Sequence, residues 1–214
     1  MESLKGSRVK LGFLAVIMAA ICLLPAAFAE EGGLAGGVFA EINLARTAPR
    51  SYAGFLKDFR RRFQGKSFRM PDSRTLVRTS EGVAAVDEAI RFLSRQKPLP
   101  ALAWSAGLAA AAEELVREEG RSGAIGHAAG ESGGTEERIE RHGTWQGRIG
   151  ENIAYGPSEA RLIVMELIVD DGVRDRGHRK NIFDRHFRTA GIACGPHPRF
   201  GSMCVIDFAG GFSE

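Results

Sequence analysis

The chain has 214 residues, and its 29 Lys and Arg against 26 Asp and Glu give a formal net charge of +3. A charge this close to neutral excludes the strongly basic surface typical of a nucleic-acid-binding domain. The length is sufficient for one domain with a complete hydrophobic core.

The first 29 residues have the pattern of an export signal. Three basic residues precede an apolar stretch at 11–24, and Ala-Phe-Ala at 27–29 matches a cleavage site. Cleavage before Glu30 would remove three basic residues and one acidic residue, which leaves a net charge near +1. The alternative is an uncleaved membrane anchor, because the apolar stretch just reaches the length of a short span. We expect a secreted or periplasmic protein with no transmembrane span in the mature chain.

The predicted elements begin after a loose, glycine-rich segment at 30–37. Apolar spacing predicts a helix from Val38 to Phe55, although Pro49 disturbs its middle. The stretch from Lys57 to Ser80 has the weakest pattern in the chain, and we predict a surface excursion there.

Two amphipathic helices are predicted next. The first covers Glu81 to Arg95, with apolar residues three and four positions apart. Ser105 is a candidate N-cap for the second, which is expected to run to about Glu119 and to end at Gly120.

Strands are predicted mainly in the C-terminal third. A short helix or turn is expected from Glu136 to His142, and Ser158 is expected to cap another helix. Short and β-branched residues predict strands at Ala190–Cys194 and Met203–Phe208. Helices early and strands late indicate the α+β class.

The mature chain retains two cysteines, Cys194 and Cys204, because Cys22 lies in the signal segment. An even pair in an exported chain predicts a disulfide, and the alternative is two free buried thiols. Turn residues between them indicate a loop that joins two strands, with the bridge at its base. No Cys-x-x-Cys zinc spacing is present.

Three residues able to bind a metal or move a proton stand in glycine-rich contexts. Glu151 lies in Gly-Glu-Asn-Ile-Ala at 150–154 and His178 lies in Gly-His-Arg-Lys-Asn-Ile at 177–182, while His127 lies upstream. Glu151 is expected to be partly buried and therefore to need a partner, either a histidine or a cation. His178 is expected in a polar loop, where it could ligate a metal or bond a carboxylate.

Two imidazoles and one carboxylate form a reasonable ligand set for Zn²⁺ with an open fourth position. Because the three residues come from separate segments, their spacing is not diagnostic. A further carboxylate could come from Asp170, Asp171 or Glu166. The alternative for Glu166 and Asp170 is a polar stripe, shared with Glu159, that faces water. The other histidines are predicted at the surface: His142, His186 and His197.

The two C-terminal motifs resemble the signature segments of the SCP domain. That domain defines the CAP superfamily of cysteine-rich secretory proteins, antigen-five allergens and plant pathogenesis-related proteins, and the second motif resembles its bacterial form. The resemblance covers roughly Val38 to Gly211. Further matches fall in the expected order: Asn43-x-x-Arg46, Leu102-x-Trp104 and His127.

The resemblance implies an α+β fold, a three-layer α-β-α sandwich with a central antiparallel sheet. It also implies a large cleft with two histidines, His127 and His178, and two acidic residues, of which Glu151 is the first. By register Asp170 is the second, with Glu166 as a close alternative. In many members this cleft binds Zn²⁺ or another divalent cation.

The chain departs from the family pattern in three respects, one of which is its single cysteine pair, Cys194 and Cys204, so that the likeness to the cysteine-rich animal members ends at the fold. The stretch between Arg46 and Leu102 is longer than usual, which implies an insertion at about 57–100 beside a single domain at 38–214. The segment before His178 lacks the expected tryptophan.

Two functions remain open at this point. The first is an exported binding module whose cleft binds a divalent metal and a lipid or cell-wall-derived ligand. The second is a metal-dependent, peptidase-like hydrolase in which Glu151 acts as general base and His127 and His178 are ligands. A third alternative is that the polar residues only brace the loops. No signature of a known hydrolase or nucleotide-binding class is present, no nucleic-acid partner is expected, and the sequence does not define an oligomeric state.

Overall fold

The computed structural model describes residues 32–69, 76–128 and 130–214, so the predicted export signal lies outside the described residues. The helices are α1 (Gly33–Thr47), α2 (Pro49–Arg60), α3 (Val83–Arg95), α4 (Ala106–Ser122), α5 (Thr135–Glu140), α6 (Ala160–Val169) and α7 (Gly177–Ile182), with a 3-10 turn at Gly130–Ser132. The strands are β1 (Phe63–Gln64), β2 (Ser67–Arg69), β3 (Leu76–Arg78), β4 (Ala103–Trp104), β5 (Thr144–Tyr155), β6 (Thr189–His197) and β7 (Gly201–Ser213). None of these described helices is long and apolar enough to span a membrane.

The central sheet has the strand order β4-β6-β7-β5. Its three long strands pair antiparallel, which confirms the predicted α+β sandwich with an antiparallel sheet. The short strand β4 adds a parallel pair, in which Ala103 lies opposite Thr189. Strand β5 forms the opposite edge of this sheet and carries Glu151.

Helices cover both faces of the sheet, and β7 shows how the layers are divided. Cys204, Ile206 and Phe208 belong to the larger core beneath α1, α2, α3 and α6. Met203 and Val205 point the other way, toward α4. This alternation is the period-two pattern of a strand that is buried on both faces.

The helix predicted from Val38 to Phe55 is two helices. Proline lacks a backbone N–H and is favourable at the first position of a helix, so Pro49 begins α2. Helix α1 begins at Gly33, inside the segment expected to be loose.

The buried side chain of Arg46 fastens the end of α1 to the rest of the domain. Its guanidinium donates to the carbonyl oxygens of Pro100 at 3.1 Å, Ile182 at 2.7 Å and Phe187 at 3.3 Å. Ile182 is the last residue of α7, so Arg46 fixes the segment that follows His178.

The stretch from Lys57 to Ser80, predicted as a surface excursion, is mostly exposed in its described parts, 57–69 and 76–80. It contains β1, β2 and β3, which form a separate antiparallel sheet. Phe68 is buried and packs into the main core. The carboxylate of Asp171 accepts hydrogen bonds from the backbone N–H groups of Ser80 and Glu81, and so ties this segment to the end of α6.

Ser105 caps α4 as predicted, since its Oγ accepts from the N–H of Leu108 at 3.2 Å. The helix does not stop at Gly120. It continues to Ser122, and the next residue, Gly123, takes the left-handed conformation with φ of +70°. Gly120 serves a different purpose, because a Cβ there would lie 2.9 Å from the carbonyl oxygen of Pro196.

The C-terminal strands are longer than predicted and carry the expected disulfide. Cys194 and Cys204 lie directly opposite each other on β6 and β7 and are bonded, which confirms the pairing. His197 was predicted at the surface but is buried, with Nε2 bonded to the carbonyl of Ala124. Glu159, not Ser158, stands at the N-cap of α6.

Candidate functional site

His127 and Glu151 form the first of two histidine–carboxylate pairs. Nδ1 of His127 lies 2.7 Å from Oε1 of Glu151. The imidazole is 58% exposed and the carboxylate 2%, so the ring faces solvent while its partner lies in the protein. The hydrogen bond with Glu151 raises the pKa of His127.

Two side chains of helix α5 hold the carboxylate of Glu151. Oε1 accepts from the hydroxyl of Thr135 at 2.9 Å, and Oε2 accepts from the fully buried guanidinium of Arg138 at 2.5 Å. Burial opposes ionisation of Glu151, but the hydrogen bond from His127 and the charge of Arg138 outweigh it, and its pKa is lowered. The predicted buried carboxylate therefore has both kinds of partner, a histidine and a cation.

A second buried acid, Asp207, lies opposite Glu151 in the register of β5 and β7. Burial raises the pKa of Asp207 well above its ordinary value, and the negative charge of Glu151 raises it further. No hydrogen bond of ordinary geometry reaches its oxygens within the described chain. We therefore assign Glu151 as the ionised member of the pair and Asp207 as the protonated one.

Tyr155 ties the loop of His127 to α4. Its hydroxyl donates to Oε2 of the buried Glu119 at 2.7 Å and accepts from the N–H of Gly126 at 3.0 Å. Burial raises the pKa of Glu119. Since Gly126 precedes His127 directly, this contact positions the imidazole on its loop.

His178 and Asp170 form the second pair. Nδ1 of His178 lies 2.7 Å from Oδ1 of Asp170, and Oδ2 accepts from the backbone N–H of His178 at 3.0 Å. Asp170 ends α6 in the left-handed conformation, with φ of 56°. His178 lies in the first turn of the short helix α7, rather than in the polar loop that was predicted.

The stripe facing water that was considered for Glu166 and Asp170 is not present. The side chain of Asp170 is 2% exposed and contacts His178. Glu166 does not contact His178 by any hydrogen bond among the described residues, and it lines a cavity beside it.

The two pairs are joined through consecutive residues of the edge strand β5. Glu151 faces α5, whereas the side-chain amide of Asn152 faces the other way and donates to the carbonyl of His178 at 3.0 Å. Asn181 of α7 closes the link, since its amide donates to the carbonyl of Glu151 at 3.1 Å and to Oδ1 of Asn152 at 2.9 Å. The two histidines thus flank one strand.

The donor chemistry fits imidazole ligation of a cation in one respect. In both pairs Nδ1 is engaged by a carboxylate, an arrangement that orients a histidine for ligation through Nε2. Across residues 32–69, 76–128 and 130–214, however, no group of three or more His, Cys, Asp and Glu side chains is placed to hold a metal ion. The fit of these residues to a bound cation therefore rests on the orientation of the two imidazoles and not on an assembled ligand cluster.

Sequence reasoning did not find Arg138, Glu119 or Asp207. Arg138 lies in the segment Thr-Glu-Glu-Arg-Ile-Glu, which has the appearance of an exposed helix, so nothing in its pattern marks a buried cation. Asp207 did leave a signal, because it is a single acid within the apolar run 203–208.

One protein-family model matches most of the chain. The model of the cysteine-rich secretory protein family (CAP) matches residues 40–208. No curated protein gives a significant match.

Two solved structures are similar in part. An extracellular protein containing an SCP domain from Bacillus anthracis is 20% identical with a TM-score of 0.45, over 59% of this chain and 37% of that protein. An outer surface protein of Borrelia burgdorferi is 17% identical with a TM-score of 0.44, over 52% of this chain and 78% of that protein. The chain thus spans just over a third of the Bacillus protein.

Proposed function

The chain belongs to the cysteine-rich secretory protein family, and from this premise we propose that it is an exported binding module rather than a hydrolase. Its ligands would be a divalent cation, Zn²⁺ or another, and a lipid or cell-wall-derived molecule. The cation would be bound by His127 and His178, on either side of β5.

One observation supports the proposal that a cation is bound: the hydrogen bond between a histidine Nδ1 and a buried carboxylate occurs twice. Each imidazole is held through Nδ1 by a carboxylate that is 2% exposed, while the ring itself reaches solvent. A buried carboxylate fixes the ring orientation and increases the basicity of the nitrogen left for a ligand. A role confined to bracing loops would not require this arrangement on both sides of the strand.

Export is supported by two independent features. Residues 1–29 have the composition of a signal segment. The bonded pair Cys194–Cys204 is a kind of crosslink that persists in oxidising compartments.

The hydrolase alternative is weakened by the surroundings of Glu151. A general base works best with a pKa near the operating pH. The carboxylate of Glu151 instead accepts three hydrogen bonds, one from the buried Arg138, and its pKa is lowered. It is built to stay ionised and paired, which suits an orienting role better than proton abstraction.

Zinc titration by calorimetry tests the proposal. The wild type is expected to bind Zn²⁺ at micromolar levels, and His127→Ala and His178→Ala should each weaken binding by at least about tenfold. If one cation is shared, either substitution alone removes the signal, whereas separate sites would halve the stoichiometry. His186→Ala is the matched control, because that ring is exposed and pairs with Asp184 rather than with Glu151 or Asp170. Absence of any divalent-cation binding by folded wild type would refute the cation half of the proposal.

A further inference from the structure

A cavity of about 300 Å³ lies between the inserted sheet and α6, next to His178. This volume is at the lower end of the range for small-molecule pockets. Three kinds of wall enclose it: aromatic residues of the insertion, the end of β5, and the side of α6 that carries Glu166.

The aromatic wall is preformed. Phe59, Phe63 and Phe68 contact one another with ring centroids 4.8–5.2 Å apart. Phe59 and Phe68 are each only 2% exposed. An apolar ligand could therefore lie against this wall without first ordering it, which reduces the entropic cost of binding.

Glu166 provides a carboxyl group in this cavity that the fold does not use. Within the part of the chain that the structure describes, its carboxyl has neither a hydrogen bond nor an ion pair, and burial raises its pKa to about 7. A carboxyl group left in such surroundings costs free energy that a ligand could recover. A cavity needed only for packing would be lined more favourably by an apolar residue.

The neighbouring charged groups make the cavity selective. Asp170 accepts from His178, and Asp171 accepts from backbone N–H groups, so both carboxylates are engaged. They still contribute negative charge beside Glu166, and Arg78 is the one Lys or Arg among the described lining residues. An anionic head group would be repelled, whereas an ammonium group would find a carboxylate with unused acceptor positions.

We propose that this cavity binds a small free amphiphile with an amino group, its ammonium paired with Glu166 and its apolar part against Phe59, Phe63 and Phe68. The inference rests on the proposed binding function but not on its cation half. The small volume favours a single-chain amine over a membrane lipid.

Three eight-carbon probes that differ only in the head group test this inference on the full chain at about pH 8. By calorimetry, n-octylamine should bind at least about tenfold more tightly than 1-octanol or octanoate. Glu166→Gln should remove this preference without changing the affinity for 1-octanol. Methyl resonances of Val77 and Leu167, which line the cavity, should shift on binding.

Two variants keep the test specific. Glu159→Gln removes an exposed charge at the start of the same helix and should leave octylamine binding unchanged. His127→Ala should also leave it unchanged, so that loss of zinc binding and loss of amine binding are distinguishable. The inference is overturned if the three probes bind equally, if octanoate is preferred, if folded protein binds none of them, or if Glu166→Gln retains the amine preference.

Discussion

Glu151 and Asp207 lie directly opposite each other on β5 and β7, two buried acids beside the guanidinium of Arg138. Two carboxyl groups this close together cannot both ionise without a large cost in free energy. The lowered pKa of Glu151 and the raised pKa of Asp207 divide the roles between them. The orientation of His127 depends on this division, because its partner is the ionised member.

Asp207→Asn should change how stability depends on pH. The pKa of Asp207 is 3.8 in a model peptide and well above that in the fold, so its contribution is complete below about 3.8 and is lost as pH rises through the folded value. The variant should therefore gain stability on the wild type as pH increases. Urea unfolding between about pH 5 and pH 9 measures this, and a constant difference over that range would contradict the assignment.

Arg138→Met should destabilise the domain by about 3–5 kcal/mol, because it leaves the buried Glu151 without its cation. The matched control is Arg117→Ala, whose side chain is 63% exposed and whose pairing with Glu113 is at 3.9 Å. That variant should lie within about 0.5 kcal/mol of wild type. Chemical denaturation at neutral pH gives both values, and equal effects would show that Arg138 is not the internal counter-ion.

Glu166→Gln should reduce the pH dependence of the free energy of unfolding between about pH 4.5 and pH 7. The pKa of Glu166 is about 7 in the fold against 4.5 in a model peptide, so its contribution is complete below 4.5 and is lost as pH rises through 7. The wild type should lose up to about 3 kcal/mol relative to the variant between those limits. Melting temperatures at about pH 5 and pH 8 check this, with Glu159→Gln as control. Parallel profiles for wild type and Glu166→Gln would rule out the shift.

Asp170→Asn should weaken zinc binding by about 10- to 100-fold, because the orienting carboxylate of His178 is lost. Asparagine tolerates the left-handed conformation at this position, so the fold should be retained. Asp175→Asn is the control, since Asp175 is 70% exposed and its ion pair among the described residues is a long one, with Lys180 at 3.8 Å. Calorimetry measures the zinc affinity, and circular dichroism shows whether the variant is folded. Unchanged zinc affinity would show that Asp170 does not orient His178 for binding.

Replacing both Cys194 and Cys204 by Ser should lower the free energy of unfolding by about 3 kcal/mol. The bridge closes a loop with a sequence separation of 10 residues, and the loss reflects the greater chain entropy of the unfolded state. The wild type in reducing buffer should show the same loss. A stable reduced form would indicate that strand pairing alone holds β6 to β7.

Elements with a strong local pattern could be predicted from sequence. The helix at Val83–Arg95 and the cap at Ser105 depend on apolar spacing and on one hydroxyl, both of which are visible in a few residues. The disulfide between the two cysteines was equally predictable, because composition and export context indicate it.

Features that depend on long-range contacts could not be predicted. The strand β5 begins in a polar segment and its register shifts between Gln146 and Ile149, so no clean alternation marks it. The burial of Arg138 is decided by Glu151, thirteen positions away. The pairing of His178 with Asp170 depends on the backbone turn that ends α6, although both residues were candidates.

The junction at Glu151 and Asn152 has a mechanical consequence. Two successive side chains point to opposite sides of one strand: Glu151 holds the loop of His127, and Asn152 holds the carbonyl of His178 at the start of α7. A displacement of the His127 loop or of α7 is therefore transmitted to neighbouring residues of β5. The contacts of His127 and of His178 therefore depend on the position of one and the same segment of β5.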